Sequence, residues 1–253
     1  MIERDLQALR CHVLQRPASF LLAHPDHGFS DQEQLDFDAL KLRYKKGEPL
    51  AYLLGSKGFW KHDFKVSPAV LIPRPETELL LELALEKIPA GAQVLELGTG
   101  SGCLAISFAL ERPDCDLVAV DLSQDALELA KKNANTLGVR LDFIQSNWFE
   151  NVMPKKFQAI LSNPPYIEVG DVHLQALSFE PELALVSGPS GLDAIQIIIK
   201  QARDFLNPDG LLALEHGYHQ EQAVQALFQA AGYRHIETRL DLQGHPRVTW
   251  GLL

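Results

Sequence analysis

Asn163-Pro164-Pro165-Tyr166 is the stretch of this chain whose residue types speak most directly of chemistry. It follows the apolar run Phe157 to Ser162, which reads as a strand, so the four residues form a corner at a strand's end. Two prolines stiffen the corner, because each fixes its own φ and restricts the residue before it. The corner offers two acceptors, the Asn163 side-chain oxygen and the Pro164 carbonyl, beside the flat face of Tyr166. Such a set suits a planar NH2 group. An amide nitrogen is a poor nucleophile because its lone pair is delocalised into the carbonyl. Acceptors aimed at both N–H bonds raise its electron density and fix its orientation. Asn163, Pro164 and Tyr166 are therefore the candidate catalytic residues, and all four, Pro165 included, are candidate substrate contacts. A plain strand-ending turn is the bland alternative.

A second signal lies upstream in Val94-Leu95-Glu96-Leu97-Gly98-Thr99-Gly100-Ser101-Gly102, a buried-strand pattern running into a glycine-rich turn that opens a helix. Glycines let a backbone approach a ligand that a Cβ would strike. The spacing departs from the Gly-x-Gly-x-x-Gly of dinucleotide binders. S-adenosylmethionine carries no pyrophosphate, so a loop serving it needs only to wrap an amino acid and a ribose. Asp121 ends the next strand and can accept hydrogen bonds from both ribose hydroxyls, or it can cap the helix beginning near Ser123. Asn147 and Trp148 follow the third strand. They can meet the adenine amino group and the adenine face, although by themselves they read as a loop with a packing tryptophan. The candidate cofactor contacts are Gly98, Thr99, Gly100, Ser101, Gly102, Asp121, Asn147, Trp148 and Asn163. With a sulfonium methyl opposite the gripped nitrogen, orientation for in-line displacement can supply ~7–11 kcal/mol of barrier lowering. No strong general base is required, since the methylated product sheds its proton readily.

The elements that must position these groups alternate. Helical patterns cover 76–87, 103–110, 124–137, 193–205 and 221–231; strand patterns cover 93–97, 117–121, 141–145, 157–162 and 211–215. A closing hairpin over 233–240 and 247–252 completes a seven-stranded, Rossmann-like α/β sheet. Before it, residues 1–54 read as a small helical domain, with apolar residues at helical spacing: Leu6, Leu9, Val13 and Leu14; Phe20, Leu21 and Leu22; Leu35, Phe37, Leu40 and Leu42. Residues 55–75, rich in aromatics and proline, suit a short strand pair and a stiff linker, so 76–253 is the expected catalytic domain.

Of 253 residues, 23 are Lys or Arg and 33 Asp or Glu, and the formal charge of −10 opposes non-specific binding to phosphate backbones. No signal peptide or membrane-length apolar run is evident, and three cysteines lack disulfide or metal spacing, so a cytoplasmic, reduced protein is expected. The nine histidines show no ligand spacing, and no metal is expected. His216 reads as structural. Arg74, Glu76 and Glu78 either order the linker over the cofactor, contact the incoming substrate, or simply begin a helix with acidic residues in its first turn.

The Asn-Pro-Pro-Tyr corner resembles methyltransferases that act on planar nitrogens: adenine N6 in DNA, guanine N2 in ribosomal RNA, and protein glutamine. Glu48 to Gly55, Phe59-Trp60 and especially Val70-Leu71-Ile72-Pro73-Arg74-Pro75-Glu76-Thr77-Glu78 closely resemble the HemK/PrmC family. Phe179-Glu180-Pro181, Ala184-Leu185, Gly191-Leu192, Glu215-His216-Gly217 and Arg247-Val248-Thr249 extend the likeness from about residue 40 to the end. The resemblance implies methylation of the side-chain amide nitrogen (N5) of the glutamine in the Gly-Gly-Gln motif of class 1 peptide chain release factors, using S-adenosylmethionine. It implies that the helical domain helps to hold that partner; the acidic charge and the lack of a membrane-length apolar run add the expectation of no direct DNA contact and no membrane. Glutamine methylation of a large-subunit ribosomal protein is the alternative, and a DNA adenine or ribosomal RNA enzyme a more distant one. The chain departs from the family at Glu96 and Asn147, where aspartate is usual. Loss of charge at 147 leads to the expectation that Asn147→Asp binds cofactor more tightly.

Overall fold

The helical spacing of the first fifty residues is realised as α1 (Glu3–Leu14), α2 (Ala18–Ala23), α3 (Asp31–Lys45) and α4 (Leu50–Leu54) in the computed structural model, which describes residues 2–253. Leu9, Phe37 and Leu53 form their core, with Leu6, Val13, Leu40 and Tyr44 packed around it. Ser30 caps α3 in a reciprocal bond with Glu33. Not every apolar position points inward: Leu22, Leu35 and Leu42 are exposed, because a helix this thinly covered buries only one narrow stripe.

An antiparallel pair, β1 (Ser56–Phe59) and β2 (His62–Lys65), follows. Then come α5 (Thr77–Lys87), β3 (Gln93–Leu97), α6 (Cys103–Glu111), β4 (Asp116–Asp121), α7 (Gln124–Leu137), β5 (Asp142–Gln145) and β6 (Phe157–Ser162). The chain closes through α8 (Asp193–Ala202), β7 (Leu206–Glu215), α9 (Glu221–Ala230), β8 (Arg234–Leu240) and β9 (Pro246–Leu252). The strands form one seven-stranded sheet in the order β5-β4-β3-β6-β7-β9-β8, parallel through β7, with β9 antiparallel to both its neighbours.

Burial on both faces explains the apolar strands. In β6, Ala159 and Leu161 face a core shared with α5 and α6, while Ile160 faces one shared with α8 and α9, and all three are fully buried. From residue 76 onward, two boundaries differ from the sequence expectation by more than one residue. The helix expected to reach 205 ends at Ala202, because the Phe205 carbonyl accepts from the Phe157 N–H at 2.7 Å and so joins the sheet. β7 begins at Leu206, and Asn207-Pro208-Asp209-Gly210 bulges out before pairing resumes at Leu211, since proline has no N–H to give. Two short 3-10 turns, Val172–Leu177 and Glu182–Ala184, lie between β6 and α8 where no regular element was expected.

Candidate active site

Strand order creates the site. It reverses between β3 and β6, which run parallel with Leu97 opposite Ser162, so the glycine turn after one strand and the Asn163 corner after the other emerge side by side. A Cβ built on Gly98 would stand 3.9 Å from the Asn163 carbonyl oxygen and 3.9 Å from the Trp148 ring. A cavity of about 390 Å³ opens there, within the roughly 300–1,000 Å³ of small-molecule sites.

Among the expected cofactor contacts, Gly98, Thr99, Gly100, Ser101, Asp121, Asn147, Trp148 and Asn163 line this cavity, as does Pro165. Gly102, Pro164 and Tyr166 do not line it. Gly102, at φ +81°, serves packing instead: a Cβ there would meet Ile106 Cδ1 at 2.8 Å and Ala130 Cβ at 3.1 Å, so the glycine lets α6 approach α7. Asp121 is not the helix cap. Ser123 accepts from the Ala126 N–H and begins α7, while Asp121 takes the Gly100 N–H at 2.8 Å and the Ser123 N–H at 2.9 Å. Each Asp121 oxygen keeps a lone pair for a further donor. Burial raises the Asp121 pKa. Asn147 donates through Nδ2 to Glu150 Oε1 at 2.8 Å, which leaves its Oδ1 as an acceptor.

Glu96 also lines the cavity, buried, and accepts the Thr99 hydroxyl at 2.6 Å; desolvation lifts its pKa to about 7. The charged side chains of the lining are Glu96, Asp121 and Asp193 against Arg74 alone. Such a lining favours a ligand with cationic centres.

The Asn163 carboxamide is held through its nitrogen alone, on Thr77, which lines the same cavity. Its Nδ2 donates to Thr77 Oγ1 at 3.0 Å, and the Thr77 hydroxyl donates to Glu215 Oε2 at 2.7 Å. The Tyr166 hydroxyl donates to Glu215 Oε1 at 3.3 Å, and its ring packs against the α8–α9 side of the core. Glu215 is completely buried, and desolvation raises its pKa to about 7. The corner has a second brace: Gln220 Nε2 donates to the Tyr166 carbonyl at 3.0 Å, and Gly191 sits so close that a Cβ would fall 2.3 Å from that oxygen. Thr77, Glu215 and Gln220 carry no signal for this in the sequence beyond the motif strings in which the first two stand.

The linker forms one wall. Val70, Leu71, Pro73 and Arg74 line the cavity, held by Glu180, which accepts the Ile72 N–H at 3.0 Å and pairs with Arg74 at 2.5 Å. Tyr52 adds a bond from its hydroxyl to the Val70 carbonyl at 2.6 Å. Glu78 accepts the Trp60 N–H at 2.7 Å, so it anchors the β1–β2 turn. His216 lies buried away from the cavity, bonded to the Gly217 carbonyl at 2.9 Å and Thr249 at 2.8 Å, with its pKa lowered by burial. Among the described residues no cluster of three or more His, Cys, Asp or Glu is set to hold a metal, and no helix is long and apolar enough to cross a membrane.

Comparison with known proteins agrees with this geometry. A family model described as the PrmC N-terminal domain matches residues 2–55, and the methyltransferase small domain matches residues 75–178. The chain is 44% identical over 252 residues to a release factor glutamine methyltransferase of Escherichia coli (strain K12), covering 98% of this chain and 91% of that protein. A protein of the same name from Coxiella burnetii is 43% identical over 247 residues, 96% of this chain and 89% of the relative. Of solved structures, a methyltransferase from Pyrococcus furiosus superposes with a TM-score of 0.60 at 17% identity, over 85% of this chain and 98% of that one. A T. thermophilus 16S rRNA methyltransferase in complex with AdoMet and guanosine gives 0.58 at 21% identity, over 78% and 49%. The solved structures share the fold; the curated relatives match along nearly the whole length, and by that measure the chain belongs to the release factor glutamine methyltransferase family.

Proposed function

We propose that this chain methylates the side-chain amide nitrogen (N5) of the glutamine in the Gly-Gly-Gln motif of class 1 peptide chain release factors, with S-adenosylmethionine as donor. The observation that carries the reading is the juxtaposition of the Asn163 corner with the glycine turn across the β3–β6 switch point. S-adenosylmethionine, when bound, supplies an electrophilic methyl group on a sulfonium. Its cationic centres suit the three carboxylates of the lining, Asp121 offers acceptors to a ribose, and Trp148 offers an aromatic face.

Asn163 Oδ1 and the Pro164 carbonyl then take the two N–H bonds of the incoming amide. This holds the nitrogen lone pair toward the cavity and excludes the rotations that would turn it away. Pro165 keeps the corner rigid, and Tyr166, anchored through Glu215, flanks the planar group. The chain's net charge of −10 supports a protein rather than a nucleic-acid substrate. Residues 1–54 are read as the docking domain, 55–75 as the linker and 76–253 as the catalytic domain.

Incubation with labelled S-adenosylmethionine and, separately, a release factor, a large-subunit ribosomal protein and DNA tests the assignment. One methyl group on the Gly-Gly-Gln glutamine is expected by mass analysis; label on the ribosomal protein or DNA alone refutes it. Asn163→Ala is expected to lose most turnover while S-adenosylmethionine binding falls far less.

A further inference from the structure

We propose that Thr77 and Glu215 are positioning residues that determine which atom of the Asn163 carboxamide faces the cavity. The proposal rests on the methyl-transfer reading above and deepens it.

A carboxamide turned over by 180° presents NH2 where it had presented oxygen. At this corner that would set a donor against the N–H bonds of the incoming amide and abolish the grip. Nothing in Asn163 itself selects one orientation, since oxygen and NH2 have nearly the same shape. Selection must come from the partner, and the partner is a hydroxyl, which is indifferent too: it can donate or accept. The chain of bonds ends at a group that is not indifferent. An ionised carboxylate only accepts. Glu215 Oε2 takes the Thr77 proton at 2.7 Å, so Thr77 Oγ1 can offer Asn163 only a lone pair, and Nδ2 rather than Oδ1 must face it at 3.0 Å. Oδ1 is left for the substrate. The other Glu215 oxygen takes the Tyr166 hydroxyl at 3.3 Å, so one carboxylate orients both side chains of the corner.

Burial makes the device stringent. Glu215 is 0% exposed and lies off the cavity, so water is not at hand to substitute for its bonds, and Thr77 shows only 4% of its surface to the cavity it lines. Sequence separations of 86 residues between Asn163 and Thr77 and 138 between Thr77 and Glu215 mean that three elements converge to build it: α5, the end of β7 and the corner after β6.

Protonation of Glu215 reverses the logic. A carboxylic acid donates through one oxygen, and if it donates to Thr77 the hydroxyl is released to donate to Asn163 Oδ1, which favours the unproductive orientation. The groups that bear on Glu215 are Thr77 and Glu76 at the start of α5, Tyr166 after β6, Cys103 at the start of α6 and Arg247 on β9. Desolvation and Glu76 favour the acid, while the two hydroxyls and Arg247 favour the carboxylate, and the balance lies near pH 7. Turnover is therefore expected to rise with pH across that value.

The test uses Thr77→Val, Thr77→Ser and Glu215→Gln, with kcat, KM for the release factor and the Kd for S-adenosylmethionine measured from pH 6 to 8.5. Thr77→Val should lower kcat by roughly 10- to 100-fold, the range expected of a mispositioned reactant, with cofactor Kd little changed. Thr77→Ser should restore most of it. Wild type should show an acid limb with an apparent pKa near 7, and Glu215→Gln, which cannot ionise, should lack that limb whatever its absolute rate. Unchanged kcat in Thr77→Val, a Thr77→Ser as slow as Thr77→Val, or a limb in kcat at saturating S-adenosylmethionine that is the same in Glu215→Gln as in wild type and is also unchanged in Glu96→Gln, whose carboxyl is likewise raised to about 7, overturns the proposal. So does a wild-type profile flat from pH 6 to 8, which needs no variant to fold. If wild type fails to methylate a release factor at all, the functional reading falls instead, and the two failures are distinct.

Discussion

Glu180→Ala should loosen the cavity wall as well as destabilise the fold. The Glu180 side chain is 3% exposed, pairs with Arg74, whose side chain is 30% exposed, and accepts the Ile72 N–H. Removing one partner of a fully buried pair costs roughly 3–5 kcal/mol. Water reaching the Arg74 guanidinium recovers part of that, while the orphaned Ile72 N–H adds ~1 kcal/mol, so about 3 kcal/mol is expected. For a chain of this size each kcal/mol moves Tm by ~2–4 °C, which predicts a fall of about 6–12 °C by differential scanning fluorimetry. Glu180→Gln keeps an acceptor for Ile72 and should lose about half as much. Because Val70, Leu71, Pro73 and Arg74 line the cavity, calorimetric titration should also show several-fold weaker S-adenosylmethionine binding, as the competent linker conformation loses population. A Tm within ~2 °C of wild type together with unchanged affinity would refute the reasoning, and would mean that Tyr52 and its bond to Val70 suffice to hold the wall.

Gly102→Ala should cost about 2–4 kcal/mol from the left-handed φ and the approach to Ile106 and Ala130, seen as a lower denaturation midpoint with no large change in the slope of the transition. Asn147→Asp should gain little cofactor affinity alone, because its new carboxylate would stand against Glu150 at the present 2.8 Å contact; Asn147→Asp with Glu150→Gln should bind more tightly than wild type by titration calorimetry. Glu215 has a folded-state pKa near 7 against an ordinary glutamate value of 4.5, so its contribution to stability is fully present below about 4.5 and is lost as pH rises through 7. The Tm of Glu215→Gln relative to wild type should accordingly increase from pH 5 to pH 8; a constant difference would refute it.

The order of helices and strands from residue 76 onward was legible because it rests on local pattern: period-2 and period-3.6 spacing, glycine after a strand, two prolines at a corner. Such signals need only neighbours in the chain. They mislead where a neighbour in space intervenes. Phe205 reads as helical until β6 claims its carbonyl, and Leu35 and Leu42 read as core until the small size of the helical layer leaves their face in water.

The residue types of the corner and the glycine turn are thus properties of the amino-acid sequence alone, since each is a short run whose stiffness and donor set are intrinsic. Their meeting, and the orientation of Asn163, belong to the tertiary structure. Only the crossing of β3 to β6 puts Leu97 opposite Ser162, and only the packing of α5 on β7 brings Thr77 to a carboxylate 138 residues away. A hydrogen-bond direction depends on what lies at the far end of the chain of partners, and no run of adjacent residues contains that.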